Sequence, residues 1–308
     1  MIEQFHRPST VREALALKRR HQGRAAFLAG GTYLNSSACA ACPERRGRHA
    51  DSASDRDERR RGALQVGPPC ASDCALRQAH VISLAGLGLD RIERAGATVA
   101  IGALCTLQRL IDDRRVPAGL RAAAAQVASR NVREMATLGG HVAANPPYSD
   151  LVPMLVALDA RLRLSSAGKA RTVRVAEYAA KPVAGLVTAI VVPAPQPGRA
   201  VACRNFRASA NALSVVSAAV SLTVARGGAR RPIVALGGVT GHVVRLAAVE
   251  AALAVGPPPA LDELQALASR SVRPVADLSG SAEYRRYQAG AVVALTVRDA
   301  LAGKGARS

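Results

Sequence analysis

Two short glycine turns carry residue types that could grip an anion. The first is Ala29-Gly30-Gly31-Thr32, at the end of the apolar run 25–29; the second is Thr137-Leu138-Gly139-Gly140-His141. Glycine lets the backbone approach a ligand closely, and successive N–H groups form a concavity that suits phosphate oxygens. A flanking Thr hydroxyl adds a donor. Two such turns together could cradle a diphosphate. Glycine pairs also serve ordinary hairpins, so either turn alone permits a ligand without demanding one. Neither has the GxGxxG spacing of a Rossmann turn or the GxxxxGK[ST] spacing of a P-loop. His141 reads either as a ligand contact or as a solvated loop residue whose neutral ring bonds water.

The cysteines offer a second chemistry. Cys39-x2-Cys42 and Cys70-x3-Cys74 leave 27 residues between their inner members. Four thiolates in two close pairs can complete a tetrahedral zinc or a [4Fe–4S] site. The simpler alternative is a loop with no metal. Cys105 and Cys203 lie on apolar stretches and read as core residues.

Elements must position these groups. "HRPSTVREALALKRR" reads as a helix with its cap near Pro8 and Ser9, and "RAAFLAGGTYL" as a strand running into the first glycine turn. Residues 36–79 show neither helical nor strand period and hold eight Arg against six acidic residues, the pattern of a long mobile surface insertion. Order returns with strands at Val81–Leu84, Ile92–Arg94 and Thr98–Ile101 and helices over Thr106–Asp112 and "PAGLRAAAAQVASR". The second glycine turn spans 137–147. After it come a helix in "SDLVPMLVALDA", a hairpin around Ala167-Gly168 and a strand "LVTAIVVP". A composition seam at 193–200 separates a tail of antiparallel strands, with a Gly-Gly turn at 227–228, followed by three helices. Strands followed by helices make an α+β arrangement.

Composition sets the limits. The 308 residues suffice for two or three domains, with 49% hydrophobic and 21% charged residues. Aromatics are 3% and Trp is absent, which weighs against stacked-base platforms for single-stranded nucleic acid. The net charge of +20 permits nucleic-acid binding, yet the Arg is spread along the chain rather than gathered in a basic tail. The simpler reading is a coding bias towards Arg and Ala, or docking on acidic partner subunits. The opening residues lack a signal-peptide core and no uncharged run of about 20 apolar residues occurs, so the expectation is a cytoplasmic protein with reduced thiols and no membrane span.

The order "FLAGGTYL … VAIGALCTLQRL … NVREMATLGGHVAANPPYSDLVPMLVALDARLRL" resembles the FAD-binding subunit of molybdenum hydroxylases, the family of xanthine dehydrogenase and of the medium subunit of aerobic carbon monoxide dehydrogenase. The likeness reaches from "HRPSTVREALAL" to "AEYRRYQAGAVVAL", outside 36–79. It implies an α+β fold of two subdomains holding FAD over 1–193 and a C-terminal domain of antiparallel sheet and helices over 200–303. It implies a first FAD loop of Phe27, Leu28, Ala29, Gly30, Gly31, Thr32, Tyr33 and Leu34, and a second of Thr137, Leu138, Gly139, Gly140 and His141. Asp150 falls where the family has an acidic acceptor for the cofactor, Val127 and Val187 near flavin-lining positions, and Arg204 or Asn205 near a basic one. His141 stands where the family has Asn, and the Arg and Asp that the family carries near 207–213 are not evident.

The implied function is electron transfer. Electrons pass from a molybdopterin-binding large subunit and a [2Fe–2S] small subunit through FAD to NAD or another acceptor, with no catalytic acid or base on this chain. The short length and the start "MIEQFHRP" resemble a small bacterial branch linked to purine oxidation. Two other readings stay open: a flavin-less structural subunit, and a basic nucleic-acid-binding protein with a Cys39/Cys42/Cys70/Cys74 metal site.

Overall fold

A computed structural model describes residues 2–33, 79–166, 169–209, 212–225, 228–274, 276 and 280–303. They fall in two units, 1–87 and 88–308. The expected insertion lies outside the described residues except for Ala79, and with it Cys39, Cys42, Cys70 and Cys74. Leu34 and the hairpin-tip residues Ala167, Gly168 and Gly227 lie outside as well.

Among the described residues the first unit is a small parallel sheet with one α-helix. Its strands are β1 (Gln4–His6), β2 (Ala25–Leu28) and β3 (His80–Ser83), with β3 in the middle. Gln4 and Ala25 both register with His80. Ala79, expected in the insertion, is buried at the sheet, and its carbonyl accepts from the N–H groups of Glu3 and Gln4. Helix α1 (Val11–His21) joins β1 to β2 through a 3-10 turn at Gln22–Arg24. Its cap is Thr10, two and one residues later than expected: the Thr10 hydroxyl accepts from the Glu13 N–H at 3.1 Å, while the Glu13 carboxylate accepts from the Ser9 N–H at 2.8 Å. Ala14 and Leu15 are its buried residues.

The second unit holds two antiparallel sheets. The five-stranded one runs β4-β5-β8-β6-β7, from β4 (Ile92–Ala95), β5 (Thr98–Gly102), β6 (Arg161–Ser166), β7 (Lys169–Arg174) and β8 (Leu186–Pro193). The four-stranded one runs β12-β11-β10-β9, from β9 (Arg199–Arg207), β10 (Ser214–Ala225), β11 (Gly228–Gly237) and β12 (Val244–Arg245). Short helices α2 (Leu107–Asp112), α3 (Ala118–Ala125), α4 (Arg130–Met135), α5 (Leu138–Ala144), α6 (Val152–Ala157) and α7 (Val175–Ala180) precede the four-stranded sheet in the chain, and of these α6 packs on β10 and β11; α8 (Ala247–Ala254), α9 (Leu261–Arg270) and α10 (Ala282–Leu301) follow it. The α+β class and the strand-then-helix tail are as expected.

The unit has two apolar cores. One gathers Ile101, Leu107, Leu120, Leu138, Leu155, Leu162 and Ile190, and also takes Ala219 of β10 and Ala235 of β11; the other gathers Val216, Val234, Leu236, Leu253, Val293 and Val297. Leu, Val, Ile and Ala build both, as a chain almost without aromatics requires. Among the described residues no helix is long and apolar enough to cross a membrane.

Three local expectations are corrected. The long helix over 117–130 stops at Ala125, and Ala128 takes a positive φ of 44° before α4 begins. Residues 199–207, given no element from the sequence, form β9. The glycine turn at 137–147 is a helix, α5: the Thr137 hydroxyl accepts the Gly140 N–H at 3.2 Å, which caps a helical turn that the two glycines alone would not favour.

Candidate functional site

The first glycine loop leaves the parallel sheet at Leu28. The Leu84 N–H donates to the Leu28 carbonyl at 2.8 Å, the last pairing before the loop. Beyond it Gly31 has φ 70°, the left-handed region open to glycine. Among the described residues the N–H groups of Ala29, Gly30, Gly31 and Thr32 have no hydrogen-bond partner, and all four residues are half-buried. Unpaired N–H groups in such surroundings call for an acceptor. This is a donor set suited to an anion. Phe27 lies behind the loop with the Lys18 ammonium 5.9 Å from its ring centre, and Tyr33 follows the loop.

The second segment behaves differently, and the expectation of an open N–H nest there is corrected. Every N–H from 138 to 141 is used inside the protein. Leu138 donates to the Cys105 carbonyl at 2.9 Å, Gly139 to the Ala103 carbonyl at 2.8 Å, Gly140 to the Thr137 hydroxyl and His141 to the Thr137 carbonyl at 2.9 Å. Gly139 is required by packing. A Cβ there would lie 2.5 Å from the Ala103 side chain and 2.7 Å from its carbonyl oxygen. Ala103 in turn donates to the Thr188 carbonyl at 3.0 Å, so Gly139 seats α5 against the end of β5 and beside β8, where Val187 is buried in the core.

Asp150 is the centre of a polar cluster. Its Oδ1 accepts from the Ser214 hydroxyl at 2.5 Å and from Asn205 Nδ2 at 3.0 Å; its Oδ2 accepts from the Arg207 guanidinium at 2.7 Å. Three of about four acceptor directions are therefore filled, and Oδ2 keeps one for a ligand donor. Burial pushes the Asp150 carboxyl above the usual carboxylate range, against the opposing pull of Ser214, Asn205 and Arg207. Arg207 also donates to the Gln126 carbonyl at 2.5 Å, which ties the cluster to the segment carrying Val127. Val127 is half-buried at the edge of the first core, and its carbonyl accepts from Arg133 at 3.1 Å.

Strand alternation sorts β9. Asn205 and Arg207 point to Asp150, whereas Arg204 pairs with Asp299 of α10 and Phe206 meets the Tyr284 ring edge-on at 6.2 Å. Of the two candidates at 204–205, Asn205 is the one at the site. On β10 a register shift between Ser214 and Val216 brings Ser214 and Ser217 onto one segment: Ser214 bonds Asp150, and the Ser217 hydroxyl donates to the Ser149 carbonyl at 2.7 Å. Arg207 and Ser214 were not singled out by the sequence. Their signal was the period-two spacing of Asn205 and Arg207, and it becomes readable only once 199–207 is known to be a strand.

His141 is neither in a loop nor solvated. It is a half-buried residue of α5, and its Nε2 lies 2.7 Å from the Ser149 hydroxyl. That hydroxyl already accepts the N–H groups of Leu151 at 3.1 Å and Val152 at 2.9 Å. With both lone pairs engaged, Ser149 donates its proton to Nε2, which places the ring's own N–H on Nδ1. Burial agrees with a neutral ring, lowering the His141 pKa from 6.5 to about 4. Cys105 is fully buried, as expected of a core thiol, and desolvation pushes its pKa to about 12. Cys203 is half-buried, accepts from Gln126 Nε2 at 3.4 Å and is raised by burial to about 11. Neither thiol is poised to react.

Residues 69–195 match the FAD binding domain in molybdopterin dehydrogenase, and residues 202–300 match the CO dehydrogenase flavoprotein C-terminal domain. The chain is similar to the uncharacterized protein YgfM of Escherichia coli K12, with 35% identity over 96% of this chain and 95% of that one. It is also similar to the carbon monoxide dehydrogenase medium chain of Afipia carboxidovorans, 32% identical over 72% of this chain and 82% of that protein. A solved chain of reconstituted CO dehydrogenase from Oligotropha carboxidovorans superposes with a TM-score of 0.78, covering all of both chains at 26% identity. The open donors of 29–32 fit the cofactor these matches imply. The chain belongs to the FAD-binding subunits of the molybdenum hydroxylases, and it is an FAD-dependent oxidoreductase component.

Proposed function

We propose that this chain carries electrons within a xanthine dehydrogenase-like molybdenum hydroxylase acting on a purine-like heterocycle, between iron–sulfur clusters and NAD or another acceptor. Its partners are a molybdopterin-binding large subunit and a [2Fe–2S] small subunit. The observation that carries the reading is the run of N–H groups from Ala29 to Thr32 without an acceptor among the described residues, in a family member similar to a medium chain over most of its length. The purine assignment rests on the resemblance to a small bacterial branch linked to purine oxidation.

Bound FAD supplies the electron relay. The chain's own residues bind and orient. Ala29, Gly30, Gly31 and Thr32 would donate to the diphosphate, with Phe27, Leu28 and Tyr33 flanking them. In the second unit Thr137 to His141 act by packing, with Gly139 fixing the place of α5. Val127 and Val187 supply apolar lining. Asp150 offers its remaining acceptor direction, and Ser214, Asn205 and Arg207 orient it. The boundary between flavin-binding and C-terminal domains falls in 193–200.

The test is to co-express the chain with its neighbouring partner genes and purify the complex. Flavin absorbance that bleaches under anaerobic xanthine or hypoxanthine and returns on NAD+ is the expected result. A flavin-free complex overturns the flavoprotein roles. Bleaching only by other substrates overturns the purine assignment alone.

A further inference from the structure

The first unit contains a group of side chains that electron transfer does not use. His6 ends β1, His21 ends α1 and His80 begins β3. The fold brings them together for a topological reason. The 3-10 turn delivers the end of α1 to Ala25, which registers with His80, and His6 stands two residues along β1 from Gln4, the other partner of His80. Residues two apart share a face of a strand.

The three rings offer one nitrogen each, all within 4.8 Å of one another. His6 Nε2 lies 3.2 Å from His80 Nδ1, and the His21 and His80 rings stack with centres 3.6 Å apart. A hydrogen bond accounts for the first pair and stacking for the second. Neither requires three nitrogens to converge. From these observations we infer that His6, His21 and His80 form a site for a divalent transition-metal ion of the zinc class, tying β1, α1 and β3 together.

Chemistry favours that class. Metal–nitrogen bonds of 2.0–2.1 Å in a tetrahedral shell set ligand nitrogens about 3.3 Å apart. His6 and His80 already have this separation, and the widest approach needs closing by about 1.5 Å. Imidazole suits zinc, copper or nickel, whereas magnesium and calcium take oxygen. His80 is buried, and His6 and His21 are half-buried, which leaves a side open for water to complete the shell. Of the cations beside His21, Arg24 is paired with Glu3 at 3.1 Å, and Arg20 is exposed.

The test uses the full chain without a tag. Zn2+ is titrated in competition with a chromophoric chelator, and thermal unfolding is followed with and without Zn2+. The wild type is expected to bind an equivalent that His6→Asn and His21→Asn each weaken at least about tenfold. His242→Asn, on a different segment, keeps it, and Zn2+ raises the wild-type Tm but not that of the two variants. Zinc held by thiols elsewhere in the chain is unaffected by these substitutions, so only the histidine-dependent equivalent counts. Circular dichroism of the metal-free variants checks folding. Imidazole 15N NMR of the wild type needs no substitution, and the His6, His21 and His80 ring nitrogens are expected to shift on adding Zn2+. Unchanged ring shifts, or equal binding by wild type and folded variants, overturns the site.

Discussion

The guanidinium of Arg207 lies 2.7 Å from the carboxylate of Asp150, and the two side chains are only 14% and 12% exposed. Removing one partner leaves the other charge desolvated, which costs about 3–5 kcal/mol for pairs this buried. Arg207→Met is therefore expected to lower the urea midpoint strongly. Asp150→Asn combined with Arg207→Met is expected to recover part of the loss, because no charge is then stranded. Strict additivity of the two single changes in the double-mutant cycle would show that the pair is uncoupled.

Neutral His141 gives stability a pH dependence. Its folded pKa, about 4, is below the unfolded value of 6.5. Between these values the unfolded chain binds the extra proton, so the contribution is complete above 6.5 and is lost as pH falls towards 4. The full swing is at most about 3 kcal/mol by linkage. His141→Asn cannot titrate here, and its unfolding free energy is expected to fall less steeply over that window. Parallel pH profiles of the two proteins would sink the assignment.

Gly139→Ala is expected to destabilise the second unit by about 1–3 kcal/mol, the usual cost of overpacking. The neighbour its methyl would meet is backbone and Ala103, which cannot swing away. Chemical denaturation measures the effect, and a neutral result would mean that α5 shifts freely on the strand end.

Gly31→Val places a β-branched residue at φ 70°. The flavin reading predicts lost flavin in the purified complex, read by absorbance, with the unfolding of the second unit unchanged. Full flavin occupancy in this variant would remove the first loop from the cofactor site.

Much of the fold could be read in the sequence because its signals were local. The strand Leu186–Pro193 coincides with its text, since a mostly apolar run closed by a proline has few alternatives. Strand β9 was invisible for the opposite reason. Both of its faces are engaged, one by Asp150 and the other by α10, so polar and apolar residues mix without a clean alternation. At 137–141 the glycines were read as a loop because glycine disfavours helices; the deciding term was Ala103, distant in sequence. The first loop was legible as a donor set, Asp150 only through family likeness. Its partner Arg207 is 57 residues away, a separation that no spacing rule covers.

Strand β9 has one edge of its side chains on Asp150 and the other on the final helix, through Arg204 and Asp299. Clipping the chain just before Asp299 strips that strand of an anchor while leaving every residue around the carboxylate in place. The last helix thus acts as a remote brace. A stop codon at position 299 or shortly before it is expected to register at position 150, far from it in sequence, before it registers anywhere in the parallel sheet.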